Sequence, residues 1–317
     1  MDMGDVRGKV ILVTGGTAGL GARSVVAFAQ GQPGHIYFTG RNSKAAEAVI
    51  KEATQCGSNN ASITFLQCDQ TSLASVKAAA ARIATEQTRL DILMANAGVM
   101  NKPPGLTEDG YEVQFGTNHL AHALFIKILL PLMEKNNNNR AKSSTNRQPA
   151  SPPGPNADAR IVLLTSTGLR GAPSGGVRLG DLRTPQSMPV MGGMIRYGQS
   201  KLANLLYARE LARRHPSVTS VGVTPGIVAT DLVSGQSATH RAVIWVSAML
   251  GQGGLPSPEE AVRTQLWCAT APRGGIRNGG FYEPPGCLSG VSTRYTEDED
   301  LARRLWEWTD RELEKWL

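Results

Sequence analysis

Tyr197 and Lys201 stand four residues apart in Tyr197-Gly198-Gln199-Ser200-Lys201, so on a helix they share one face. The spacing matters because a phenol is a poor base. It titrates near ~10, and bringing it down by ~3 units takes ~4 kcal/mol of preferential stabilisation of the phenolate. A cation within reach supplies about 1–3 units of that shift. Such a pair can give a proton to an alkoxide forming from a carbonyl, or take one from an alcohol. Without context, a Tyr/Lys pair at this spacing is more often a packed ring with a lysine reaching for solvent. His119 and His122 invite a similar reading. They are three apart with no carboxylate at metal-motif spacing, so packing accounts for them better than catalysis or ligation. No metal is expected.

A second cluster lies near the N-terminus, in Thr14-Gly15-Gly16-Thr17-Ala18-Gly19-Leu20-Gly21. Glycines in such a run permit positive φ and let backbone approach a ligand closely. A helix starting there would turn free N–H groups and its dipole toward a diphosphate. Gly15, Thr17, Gly19, Leu20 and Gly21 are therefore candidate cofactor contacts. The apolar run before them, 9–14, reads as a buried strand, and strand, glycine turn and helix together distinguish a dinucleotide site from an ordinary tight turn. NAD-specific sites carry an acid at the end of the second strand, whereas a basic residue there suits a 2′-phosphate. This chain has Phe38-Thr39-Gly40-Arg41-Asn42, with no acid before Glu47. Arg41 can grip a phosphate in fork geometry. The expected cofactor is NADP(H), with Lys44 assisting.

The elements that must position these groups alternate between strand and helix. The apolar runs predict strands at 9–14, 35–38, 63–68, 92–95, 161–164 and 218–223, with a short seventh at 280–282. Helices are predicted at 18–30, 44–53, 73–85, 108–134 and 197–214. Repeated β-α-β units imply right-handed crossovers and a parallel sheet covered on both faces. The expected fold is thus a doubly wound, Rossmann-type α/β sheet of about seven strands in a single domain. Residues 136–159 contain no Val, Leu, Ile, Met or aromatic residue and read as a mobile surface insertion. Residues 297–317 open on four acids and then repeat Leu301, Leu305, Trp308 and Trp316 near helical spacing. They read as a C-terminal helix packed on the body.

The cradle has the spacing T-G-x-x-x-G-x-G. Asn96-Ala97-Gly98, Asn118, Ser166, the Tyr197/Lys201 pair and Pro225-Gly226 with Thr230 follow it in order. This ordered set resembles the short-chain dehydrogenase/reductase family over roughly residues 6–282. Asn118-His119-Leu120-Ala121-His122 and Ser200-Lys201-Leu202-Ala203-Asn204 are similar to its retinol-dehydrogenase-like branch and to related fungal reductases. The resemblance implies an oxidoreductase acting on CH–OH or C=O groups. In it Tyr197 is the acid/base, Lys201 lowers its pKa, Ser166 hydrogen-bonds the substrate oxygen and Asn118 fixes a water in a proton relay. It further implies cofactor contacts from Asn96, Tyr197 and Lys201, Asp69 beside the adenine, Thr230 near the carboxamide, and a homodimer or homotetramer.

One departure concerns the 31 residues separating Ser166 from Tyr197, a longer gap than in compact members of the family. Residues 168–196 are rich in Gly, Pro and Met and are expected to loop at the C-terminal edge of the sheet. Together with 232–256, whose Ala242-Val243-Ile244-Trp245-Val246 run reads as a greasy lid, they would shape a pocket for an apolar small molecule. Retinoid-like, steroid-like and secondary-metabolite substrates all suit it. The alternative is a non-redox catalyst or sensor that keeps the fold and its cofactor; an intact Asn/Ser/Tyr/Lys set weighs against that.

Composition narrows the remainder. The 317 residues are 41% hydrophobic and 19% charged, which describes a globular protein with a full core. Cys56, Cys68, Cys268 and Cys287 form no C-x-x-C pair, which argues against a zinc site or disulfide framework and fits a reducing compartment. The polar start at 1–9 does not read as a signal peptide, and the apolar stretch 242–250 is too short for a bilayer span. A cytoplasmic location is expected. The net charge of +7 is spread without a dense Lys/Arg run, so nucleic-acid binding is not expected.

Overall fold

Every residue of β1 (Val10–Val13) is buried. Val10 and Leu12 enter one apolar layer and Ile11 and Val13 the other, the period of two that a strand covered on both faces requires. β2 (His35–Gly40), β3 (Ser62–Gln67), β4 (Ile92–Ala95), β5 (Arg160–Leu164), β6 (Thr219–Val223) and β7 (Phe281–Glu283) join it in the order β3-β2-β1-β4-β5-β6-β7, all parallel. β8 (Cys287–Leu288) closes that edge antiparallel to β7. The sheet therefore has eight strands rather than about seven, because a two-residue exposed strand has no apolar run to announce it.

These positions come from a computed structural model that describes residues 3–57, 61–143, 158–226, 228 and 256–317, the side chains of 135–143 excepted. Thr230, residues 144–157 of the expected insertion and residues 232–255 of the expected lid lie outside the described residues.

α1 (Gly19–Gln30) and α2 (Ser43–Cys56) cover one face of the sheet, and α3 (Leu73–Glu86) begins the cover of the other. The chain then makes one helical turn, α4 (Val113–Phe115), a π turn over Gly116–Leu120, and the long α5 (Ala121–Ser143). After β5 comes α6 (Gly192–Arg214); α7 (Pro258–Thr270) returns to the α1 face, and α8 (Glu299–Leu313) packs on α6. The single helix predicted over 108–134 instead begins at Val113 and continues to Ser143. Gly110 holds φ at +81°, and the Glu112 carboxylate accepts from Phe115 N at 2.7 Å, so the backbone turns before it coils. No element is predicted at α7. Its start nonetheless carries a full capping box, Ser257 with Glu260, and Pro258 in the first turn, a readable signal. Among the described residues no helix is long and apolar enough to cross a membrane.

Strand order reverses between β1 and β4. Loops leaving the C-terminal ends of these two neighbours diverge to opposite faces, and the crevice they leave is where a doubly wound sheet holds ligands.

Candidate active site

The turn after β1 is shaped by what it must avoid. Gly15 and Gly19 hold φ at +64° and +52°. A Cβ on Gly15 would lie 2.9 Å from Ala97 Cα, and one on Gly21 would overlap the Gly15 carbonyl and sit 2.6 Å from Asn96 Nδ2. Only glycine lets this turn fold against the end of β4. Gly15 N donates to Thr39 Oγ1 at 3.3 Å and Gly16 N to Thr39 O at 2.8 Å, tying the turn to β2. Ala18 caps α1 without a side-chain acceptor, and the first turn contains no acid. Its leading N–H groups are left for an anion.

A cleft of about 440 Å³ runs from this turn across the sheet edge. Thr17, Gly19, Leu20, Arg41, Asp69, Gln70 and Asn96 line it, and α6 adds Tyr197 and Lys201. Arg41 is exposed, and Lys44 is not part of the wall. Asp69 Oδ1 accepts from Thr71 N and Thr71 Oγ1, both at 2.9 Å, which fixes the turn after β3.

β5 leads into Ser166, and α6 brings Tyr197 and Lys201 beside it. Gly198 permits this approach, since a Cβ there would lie 2.7 Å from Gly168 O. Ser166 hydrogen-bonds the Tyr197 phenol, and its Oγ also accepts from Gly168 N at 3.0 Å. Lys201 Nζ lies 5.7 Å from the Tyr197 ring centroid and donates to Leu164 O at 2.9 Å. Both side chains are buried, with relative exposures of 7% and 4%. Burial pushes the phenol pKa up while the Ser166 hydrogen bond pulls it down. Burial also brings the Lys201 ammonium down to about 8. The expectation that Lys201 lowers the phenol is therefore not met by these residues alone. Both groups lose solvent in the same pocket, and the ammonium is hydrogen-bonded to a backbone carbonyl.

Asn118 sits on the π turn with its amide fully engaged. Oδ1 accepts from Val99 N at 2.7 Å, and Nδ2 donates to Val99 O and Ser200 Oγ, each at 2.9 Å. A Cβ on Gly98 would be 3.2 Å from Asn118 Oδ1 and 3.4 Å from Lys201 Nζ, so those two side chains converge on one point of backbone. Asn96 lines the cleft while supporting the cradle: its N–H donates to Thr14 Oγ1 and its Nδ2 to Thr14 O, both at 2.9 Å. Asn118 is buried and Ser166 partly exposed, and neither is among the residues that line the cleft.

His119 and His122 are fully buried and hydrogen-bonded, with pKa values lowered by burial to about 4 and about 3. They are neutral at physiological pH, and among the described residues no cluster of three metal-binding side chains forms. The sequence marks Thr14 only as the first residue of the cradle motif, and it does not point to Thr39 or Gln70 as site residues. All three are buried polar residues, and their only sequence signal is a position beside a motif or at a strand end.

The sequence model described as short chain dehydrogenase matches residues 9–141. A short-chain dehydrogenase/reductase of Aspergillus calidoustus is 31% identical over 318 residues, spanning 97% of this chain and 94% of that protein. Retinol dehydrogenase 14 of Homo sapiens is 30% identical over 332 residues, spanning 96% and 86%. Among solved structures, an uncharacterized protein from Mycobacterium Paratuberculosis aligns with a TM-score of 0.69 at 24% identity, covering 99% of this chain and 96% of that one. A 3-ketoacyl-(acyl-carrier-protein) reductase from Brucella melitensis, complexed with NADH, aligns at 0.62 and 22% identity, covering 89% and 98%. These two structures share the fold.

Proposed function

The chain belongs to the short-chain dehydrogenase/reductase family, and from that premise we propose an NADPH-dependent oxidoreductase that moves a hydride between nicotinamide and a carbonyl or alcohol of an apolar small molecule. The observation carrying this reading is that one cleft is lined by a glycine cradle and by Tyr197, backed by Ser166, beside Lys201. A nicotinamide dinucleotide fits the residues present. The Gly15–Gly21 turn and uncapped α1 would hold the diphosphate, and Arg41 a 2′-phosphate. Asp69 would meet the adenine, with Asn96, Tyr197 and Lys201 along the nicotinamide half. Thr230 completes the proposed contacts. Met100 in the cleft wall, and Val190 and Met191, exposed just ahead of α6, favour an apolar substrate.

When bound, the cofactor supplies the hydride and, once oxidised, a positive ring. In the reducing direction Tyr197 gives its hydroxyl proton to the substrate oxygen as that oxygen gains an electron pair. Ser166 Oγ hydrogen-bonds the same oxygen and holds it in line with the phenol. Because burial raises the Tyr197 pKa, the phenol is protonated at neutral pH, the form that donation needs. Lys201 stabilises the resulting phenolate by its charge. In the reverse direction the phenolate takes the alcohol proton.

The test is NADPH consumption with a panel of apolar aldehydes and ketones. Tyr197→Phe should lose about 10²–10⁴ in turnover, the usual range for a positioned acid, while binding the cofactor. Turnover that survives the change refutes the role of Tyr197. NADPH should bind ahead of NADH and Arg41→Ala should narrow the gap; equal affinities in the unaltered protein refute the phosphate contact.

A further inference from the structure

His122 lies one helical turn beyond Asn118, has no exposed surface, and meets polar groups of three separate segments. Its Nδ1 is 2.8 Å from Asn118 O. A carbonyl oxygen only accepts, so Nδ1 carries the proton. On the other edge of the ring, Nε2 is 2.9 Å from Thr14 Oγ1 and 3.1 Å from Gln70 Nε2. The Gln70 amide nitrogen only donates, and it also donates to Thr117 O at 3.1 Å. Thr14 Oγ1 already accepts from Asn96 N at 2.9 Å and Ala97 N at 3.0 Å, so its own proton is free to point at the imidazole. The other acceptor within its reach, Met94 O, is 3.4 Å away. Only one tautomer suits these partners, with Nδ1 protonated and Nε2 bare, its single lone pair shared by the Thr14 hydroxyl and the Gln70 amide.

These partners are not incidental packing. Thr14 opens the cradle turn and holds the Asn96-Ala97 turn; Gln70 and Thr117 line the cleft. Asn118 belongs to a π turn, a geometry that recurs at functional sites, and its side chain converges with Lys201 on Gly98. An apolar residue at 122 would fill the space, but would leave the Thr14 hydroxyl only its longer contact to Met94 O and one Gln70 N–H without a buried acceptor.

We propose that His122 is a positioning residue, a neutral Nδ1–H imidazole that couples the two segments meeting the cofactor, Thr14 and Gln70, to the turn carrying Asn118. The proposal rests on the NADPH reading above. Its two edges have separable tasks. The Nε2 edge sets cofactor affinity through Thr14 and Gln70, and the Nδ1 edge sets turnover through Asn118.

Two measurements test it. Nitrogen NMR of the unaltered protein with labelled histidine should find the His122 ring protonated at Nδ1 and bare at Nε2, without titration from pH 5 to pH 8. A ring protonated at Nε2, or one that titrates in that window, overturns the proposal. His122→Leu removes both edges, while His122→Asn keeps an N–H for the Asn118 carbonyl and loses the Nε2 acceptor. The Kd for NADPH should rise about tenfold in both, the effect of one buried hydrogen bond. At saturation kcat should fall about tenfold in His122→Leu and about threefold in His122→Asn. Lower thermal stability with unchanged Kd, or an equal fall in kcat for both, marks a merely structural residue and overturns the proposal. If the unaltered protein binds neither nicotinamide, the cofactor reading fails instead, and the ring protonation still decides the tautomer on which this inference depends.

Discussion

Lys201→Met should make the protein more stable at neutral pH while abolishing its turnover. Lys201 is 4% exposed, and burial lowers its pKa to about 8 from the ordinary 10.5. At about 1.36 kcal/mol per unit, holding the ammonium charged in the folded state costs about 3 kcal/mol below pH 8. Methionine fills a similar volume without that charge. The carbonyl left behind is not orphaned, because Leu164 O also accepts from Asn204 Nδ2 at 3.1 Å. After allowing about 1.5–3 kcal/mol for the lost charged hydrogen bond, a gain of up to about 1.5 kcal/mol should remain at pH 7. The sign follows from the proton count. Between pH 8 and 10.5 the unfolded chain holds the Lys201 proton longer than the folded one, so the unaltered protein gains stability as pH rises. The advantage of the variant should shrink across the same window. Urea unfolding of both proteins at pH 7, 8.5 and 10 measures this directly. A variant less stable than the parent at pH 7, or a difference that ignores pH, would refute the claim that burial of a charge dominates at Lys201.

Two further outcomes follow from the same geometry. Gly21→Ala places a methyl against the Gly15 carbonyl and 2.6 Å from Asn96 Nδ2. It should cost about 1–3 kcal/mol through overpacking and weaken NADPH binding, and unchanged affinity in a titration would contradict the cradle. His119 and His122 have folded pKa values of about 4 and about 3 against an ordinary 6.5. The stability they contribute is therefore present above pH 6.5 and lost as pH falls toward 4. The slope should approach about 2.7 kcal/mol per pH unit for two protons, and a flat unfolding free energy between pH 6 and pH 5 would contradict it.

The sheet was legible because its strands are apolar runs and its turns carry glycine, both local properties. Lys9–Thr14 reads as a buried strand without knowledge of what covers it, and the Tyr197/Lys201 spacing holds on any helix. Partners far apart in sequence were not legible. Thr14 and His122 are 108 residues apart, and Gln70 and His122 are 52; neither pair has a periodicity to betray it. The π turn at Gly116–Leu120 hid inside a plausible long helix, since its residues keep helical spacing on either side. The upward push of burial on the Tyr197 phenol is equally invisible in the sequence. A four-residue spacing places the lysine near the ring, but only the fold shows how deeply both are buried and that Nζ faces a carbonyl.

Burial divides the polar groups of the cleft into two kinds. His119 and His122 are neutral, and each ring nitrogen meets a partner. Such groups hold segments in register at little electrostatic cost at neutral pH. Lys201 is buried, and burial works against the charge that it carries below pH 8. A protein that only bound a dinucleotide, as a sensor would, could hold it with the cradle and Arg41 and leave the rest of the cleft apolar. Here a charge opposed by burial stands beside the phenol whose ionised form needs it, and Ser166 hydrogen-bonds that phenol. Under the proposed reading, proton transfer gives that charge a use beyond its contact with the cofactor. The pH dependence of Lys201→Met, set against its loss of turnover, measures the cost and the use of the same ammonium group in one variant.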